Sequence, residues 1–231
     1  YYLDYGDENW KDSANHDFQF MVEQDLAFAS YIPYYFKKWI EQIDTNVLPL
    51  VSKRIINNTC KILNFNYTDT LERAYKVPAE NILYIHGKAL SSKKLVVGHH
   101  DISTFQYGAV SPFNAAEEHG IYIQDDDEDF RITETKEIIK AYFQKTYKDT
   151  FGIIQMNQNF FDSLININEI FILGHSLSSV DMDYFVEIRK RVLHSCKWYI
   201  SYFSESDLDN MEYFAKRLDI KNFQPVMLSN L

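Results

Sequence analysis

Three short polar clusters hold the residue types from which a small-molecule site is built: Asn64-Phe65-Asn66-Tyr67-Thr68-Asp69, His86-Gly87 and Gly174-His175-Ser176-Leu177. Each follows an apolar run that reads as a β-strand, and ligands of open α/β sheets bind outside the carboxyl ends of the strands. The residue types suit a nucleotide. Gly174 lets the backbone approach a phosphate, and the N-terminus of the helix expected after it offers N–H groups and partial positive charge. The Ser176 hydroxyl can donate to the same phosphate, or it can cap that helix. His86, at a strand end beside a glycine, is the leading general base because imidazole titrates near neutrality; the alternative is a histidine satisfied by backbone. Asn66 offers a fixed amide for a water or a ribose hydroxyl, or it closes the turn after its strand. The expected catalytic pair is Asn66 and His86. The expected ligand contacts are Tyr67, Thr68, Gly87, Gly174, His175, Ser176, Leu177 and Asp181.

The elements that must position these residues follow from hydrophobic periodicity. Aromatic and aliphatic residues from Phe18 to Ile43 fall at helical spacing, which predicts two helices broken near Pro33, with a short third over 47–57. Strands are expected at 60–65, 81–85 and 94–98, with a helix over 68–76 whose Asp69 and Glu72 have capping-box spacing. Residues 101–131 have no clear period and include the acidic run Asp125-Asp126-Asp127-Glu128-Asp129. Helices are expected at 133–147 and 159–166. The last third alternates most regularly: strand 169–173, helix 179–194, strand 197–203, helix 207–218, strand 224–228. This order predicts an α/β fold, a mainly parallel Rossmann-like sheet flanked by helices, with right-handed crossovers. The expected organisation is one domain over 1–231, with a helical segment at 1–57 and an α/β core at 58–231 carrying an irregular insertion near 101–131.

Composition narrows the classes. The 231 residues are 46% hydrophobic, enough for one sizeable core. A net charge of −10 with no Lys/Arg stripe disfavours direct binding to a nucleic-acid backbone. No apolar run reaches the roughly 20 residues of a bilayer span, and no signal peptide is read. Cys60 and Cys196 form no CxxC and read as free buried thiols of a reducing, cytoplasmic compartment. The expected partner is a small nucleotide, with a protein partner or homo-oligomer left open.

Four segments carry a family resemblance: NFNYTDTLE at 64–72, YIHGK at 84–88, VVGHH at 96–100 and FILGHSLSSVDMDYF at 171–185. In order and spacing they resemble the AbiH family of bacteriophage abortive infection proteins. The same landmarks are more distantly similar to sirtuin-like NAD-consuming domains. That resemblance implies a sirtuin-like fold with NAD as substrate or ligand. Asn66 would position a water or the nicotinamide ribose, His86 would act as general base, and Gly174 and Ser176 would hold phosphate or ribose. AbiH proteins usually open with a strand and a GNGFD-like turn. The chain starts at Tyr1 without that motif, so the expectation is a fragment lacking its N-terminal strand.

Other readings compete. The first is a non-catalytic nucleotide sensor or interaction module of a defence system. A second follows from Gly174-His175-Ser176-Leu177-Ser178, which resembles the GxSxG elbow of serine hydrolases, with Ser178 in place of the second glycine and only His194 following as a base. Finally, His99-His100-Asp101 and the acidic run have metal-binding residue types, but the run lacks EF-hand spacing. No metal ligand is assigned.

Overall fold

Runs of isoleucine, leucine and aromatic residues too short for helices form parallel strands in the computed structural model, which describes residues 16–49, 51, 55–100 and 130–228. Strand β1 (Ile62–Asn64) pairs in parallel with β2 (Ile82–Tyr84), placing Asn64 opposite Tyr84. Strands β3 (Glu169–Ile172), β4 (Lys197–Tyr202) and β5 (Phe223–Met227) form a second parallel sheet in the order β3-β4-β5. The architecture is a mixed α/β fold of short parallel sheets and helices.

The chain divides into two compact units, Tyr1–Lys37 with Val97–Lys148, and Lys38–Val96 with Asp149–Leu231. In the first unit, α1 (Asp17–Ala29) packs on α4 (Phe130–Thr146), and Gln19 Nε2 donates to Glu134 Oε2 at 3.0 Å. His99 Nε2 lies 2.9 Å from the Phe143 carbonyl and His100 Nδ1 3.3 Å from that of Lys148, so both rings are tied to backbone. Helix α2 (Ile32–Ile40) follows α1.

Both sheets belong to the second unit, together with α3 (Thr70–Arg73), α5 (Thr150–Met156), α6 (Gln158–Asp162), α7 (Met182–Arg191) and α8 (Ser206–Arg217). Helix α7 connects β3 to β4 and α8 connects β4 to β5, the crossover that parallel neighbours require. Helix α7 buries Met182, Tyr184, Phe185 and Ile188, one helical face. That face meets Phe161, Trp198, Ile200 and Phe214 in a continuous core. The Phe214 and Phe185 rings meet edge to face, with centroids 5.1 Å apart. Cys60 and Cys196 are free thiols, Cys196 buried and Cys60 partly so.

Several local expectations are corrected. The two expected N-terminal helices are present, with the break near Pro33 falling at residues 30–31 and Pro33 itself in the first turn of α2. A missing N–H is harmless there. The described residues of 47–57 are turns and irregular chain, not a third helix. Residues 94–98 form no strand; instead two hydrogen bonds, both at Val96, fasten the chain there. The Asp69–Glu72 capping box does not form, because Asp69 makes no side-chain cap bond. Its carboxylate reaches Thr45 and Arg73, while Glu72 pairs with Lys88. Helix α5 has no counterpart in the sequence expectations, and α6 ends four residues before the expected 166. Asp101 and the acidic run 125–129 lie outside the described residues.

Candidate functional site

The polypeptide turns sharply as it leaves β2. Ile85 N–H still donates to Asn64 O at 3.1 Å, and then Gly87, at φ +88°, reverses the chain in a conformation that a Cβ would strain. The chain at 94–96 closes over this corner. Val96 N–H donates to His86 O at 2.8 Å, and the Tyr67 hydroxyl donates to Val96 O at 2.9 Å. The His86 ring is thereby 6% exposed, with Phe65, Tyr67 and Tyr184 around it at centroid distances of 5.5, 6.0 and 5.9 Å.

The turn after β3 supplies the second half. Gly174 has φ +61°, and its N–H donates to the buried Ser201 hydroxyl at 2.8 Å. Leu177 has φ +56°, and its N–H donates to His175 Nδ1 at 2.8 Å. A nitrogen that accepts carries no proton, so the proton of neutral His175 resides on Nε2. That atom lies 3.4 Å from Asp181 Oδ2, and Asp181 Oδ1 lies 3.3 Å from His86 Nε2. One carboxylate therefore stands between two imidazoles drawn from different strand ends. The His86 contact is close without the alignment of a hydrogen bond. Phe65 is wedged between the rings, 4.5 Å from His175 and stacked on Phe185 at 5.5 Å.

Burial, and then the Asp181 charge, raise the phenols of Tyr67 and Tyr184 above their ordinary value, so both stay neutral hydrogen-bonding groups. A second polar array braces the corner from beneath. Buried Asp69 accepts from the Thr45 hydroxyl at 2.6 Å and from Arg73 Nε at 2.8 Å. Burial opposes its ionisation most, but those bonds and the charges of Arg73 and Lys88 outweigh it and hold the carboxyl below its ordinary range. Lys88, beside the Gly87 turn, pairs with Glu72 and lies over the Tyr84 ring.

A cleft of about 250 Å³ opens at the carboxyl ends of β3, β4 and β5. Gly174, His175, Ser176 and Leu177 line one side; Ser201, Tyr202, Phe203, Asp207, Asn210, Met211 and Leu228 complete it. Of the residues singled out from sequence, His175 and Asp181 thus join His86, while Gly174, Ser176 and Leu177 share the cleft with His175. Asn66 is exposed, its N–H tied to Asn64 Oδ1 at 3.0 Å, and Thr68 Oγ1 bonds Thr70 Oγ1 at 3.0 Å. Sequence reasoning missed Ser201, Asp207 and Asn210. A carboxylate just past a strand, at the start of the next helix, was the available signal for Asp207.

The serine-hydrolase reading fails on geometry. His194 is held by the Arg189 guanidinium beyond the C-terminal end of α7, roughly 15 Å of helix from the turn carrying Ser176. Among the described residues no group of three His, Cys, Asp or Glu side chains converges to hold a metal ion, and no helix is long and apolar enough to cross a membrane.

Fold and site together define an α/β protein with a cleft at the carboxyl ends of β3, β4 and β5, one of whose lining residues, His175, belongs to a histidine–carboxylate–histidine array. The model of the family described as bacteriophage abortive infection AbiH matches residues 1–202. The chain belongs to the AbiH family, and that membership points to abortive-infection defence against bacteriophage. No curated protein and no solved structure matches it.

Proposed function

We propose that this AbiH protein binds a nucleotide of the NAD type at the carboxyl edge of its parallel strands and hydrolyses the bond between nicotinamide and ribose, depleting the infected cell. The observation that carries the reading is Asp181, 3.3 Å from His86 Nε2 and 3.4 Å from His175 Nε2, beside a cleft of nucleotide-binding topology. The substrate class in this proposal comes from the distant resemblance of the Asn66, His86-Gly87 and Gly174-His175-Ser176 landmarks to sirtuin-like motifs.

Nicotinamide leaves with the electron pair of the glycosidic bond, and no general acid is needed for so good a leaving group. Water adds to the ribose carbon and gives up one proton. The Asp181 charge, 3.3 Å from Nε2, favours the protonated imidazole that forms as His86 takes the proton from water. Asn66 orients the water. General-base assistance is worth about 10²–10⁴-fold, so His86→Ala and Asn66→Ala each lower nicotinamide release by about that factor in the folded protein.

A second reading, a nucleotide sensor without turnover, is favoured by one observation: His86 is 6% exposed and is not part of the cleft lining. Nicotinamide release from NAD, followed chromatographically, separates the two. Binding without release supports the sensor.

A further inference from the structure

We infer that the cleft at the ends of β3, β4 and β5 is a ribonucleoside subsite that takes the uncharged or cationic half of a nucleotide and rejects phosphate, with Asp207 as the specificity-determining residue. The inference deepens the nucleotide reading and rests on it for the ligand class. The glycine turn is the place where sequence leads one to expect a phosphate. A phosphate cradle needs N–H groups without partners and a positive field. Here Gly174 N–H is committed to Ser201 Oγ at 2.8 Å, and Leu177 N–H to His175 Nδ1 at 2.8 Å. The chain between turn and helix carries Asp181, and the first turn of α7 carries Asp183, so the helix start already has its negative charges.

The charge of the lining points the same way. Among the described residues the cleft is lined by one carboxylate, Asp207, and by no lysine or arginine. Asp207 Oδ2 accepts from Phe203 N–H at 3.0 Å and from Ser204 N–H at 2.9 Å. Those backbone bonds hold its carboxyl below the ordinary range, so it stays ionised. A phosphate entering this cleft meets a fixed like charge. A ribose meets the Asp207 carboxylate, the Asn210 amide and the Ser176 hydroxyl, which match a diol. Tyr202 and Phe203 border the same space, and Phe203 is 88% exposed, a free aromatic face for a base. The cleft of about 250 Å³ lies below the roughly 300–1,000 Å³ of pockets that enclose drug-sized ligands, so it accommodates part of a dinucleotide.

Calorimetric titration of the full chain with adenosine, nicotinamide riboside and AMP tests this. One like charge within about 10 Å at protein-surface dielectric is worth roughly tenfold in affinity. The expected result is that either nucleoside binds about tenfold or more tightly than AMP at low ionic strength. Added salt should narrow the gap by screening the repulsion. Asp207→Asn, which keeps an acceptor for the two N–H groups, should narrow it as well. The salt series needs no variant and stands if Asp207→Asn does not fold. AMP binding as tightly as the nucleosides, or no nucleoside binding, overturns the inference. The outcomes are separable from the hydrolase reading. NAD turnover with AMP preferred defeats the subsite alone, and nucleoside preference without NAD turnover defeats the hydrolase alone.

Discussion

Asp181 Oδ2 lies 3.4 Å from His175 Nε2, while the other nitrogen of that ring accepts the Leu177 N–H at 2.8 Å. Both nitrogens of His175 are thus engaged, so in the proposed mechanism it positions the turn and Asp181 while His86 serves as the base. Nitrogen-15 shifts of the His175 ring should show the proton on Nε2.

Asp181→Asn preserves volume but removes the charge shared by the two rings, and its amide can present an oxygen to only one of them. Nicotinamide release should fall by about 10²–10⁴-fold, the range of lost general-base assistance, with the circular dichroism spectrum unchanged. Wild-type turnover by the Asn variant would remove Asp181 from the mechanism.

Acid stability should depend on Asp69. Its folded carboxyl titrates below the ordinary 3.8, so the stability it contributes is present above that value and is lost as pH falls through the lower folded one. Asp69→Asn should cost about 1.5–3 kcal/mol at neutral pH, the worth of a hydrogen bond to a charged group. It should also flatten the acid limb of the denaturation profile. An unchanged limb would show that another carboxylate dominates it.

The alkaline limb should depend on Tyr184, whose buried phenol is raised above 10.0. A raised pKa gives a contribution that is complete below the unfolded value and lost as pH rises toward the folded one. Tyr184→Phe should therefore reduce the loss of stability above pH about 10, the ordinary tyrosine value. Equal slopes for wild type and variant would contradict the burial of that hydroxyl.

Helix α8 ends in a Schellman turn: Ile220 N–H bonds Ala215 O at 2.9 Å and Asp219 N–H bonds Lys216 O at 3.3 Å. Asp219 adopts φ +50°, where glycine is unstrained. Asp219→Gly should raise stability by about 1 kcal/mol, the lower range of the left-handed penalty. A lower melting temperature would show that the side chain contributes more than its backbone strain costs.

Much of this architecture is legible in the sequence where one physical period dominates. Helices α7 and α8 and strands β3 to β5 lie within a few residues of their expected spans, because each buries a regular face. Local propensity misleads where a distant residue sets the outcome. Asp69 has capping-box spacing with Glu72, yet Thr45, 24 residues away, takes its carboxylate. Residues 94–98 have the apolar content of a strand, but their bonds come from His86 and Tyr67 rather than from a ladder. The site shows the same division. Gly174 and His86 announce themselves at strand ends. The bridging of His86 to His175 through Asp181 depends on tertiary packing around Phe65, which no spacing encodes.

The central claim is that the His86–Asp181–His175 array serves cleavage of an NAD-type nucleotide in phage defence. The most direct measurement is nicotinamide release from NAD by the full-length wild-type protein, beside the His86→Ala variant. The account predicts release by the wild type and a loss of about 10²–10⁴-fold in the variant. Undiminished release by His86→Ala, or none by the wild type, would contradict it.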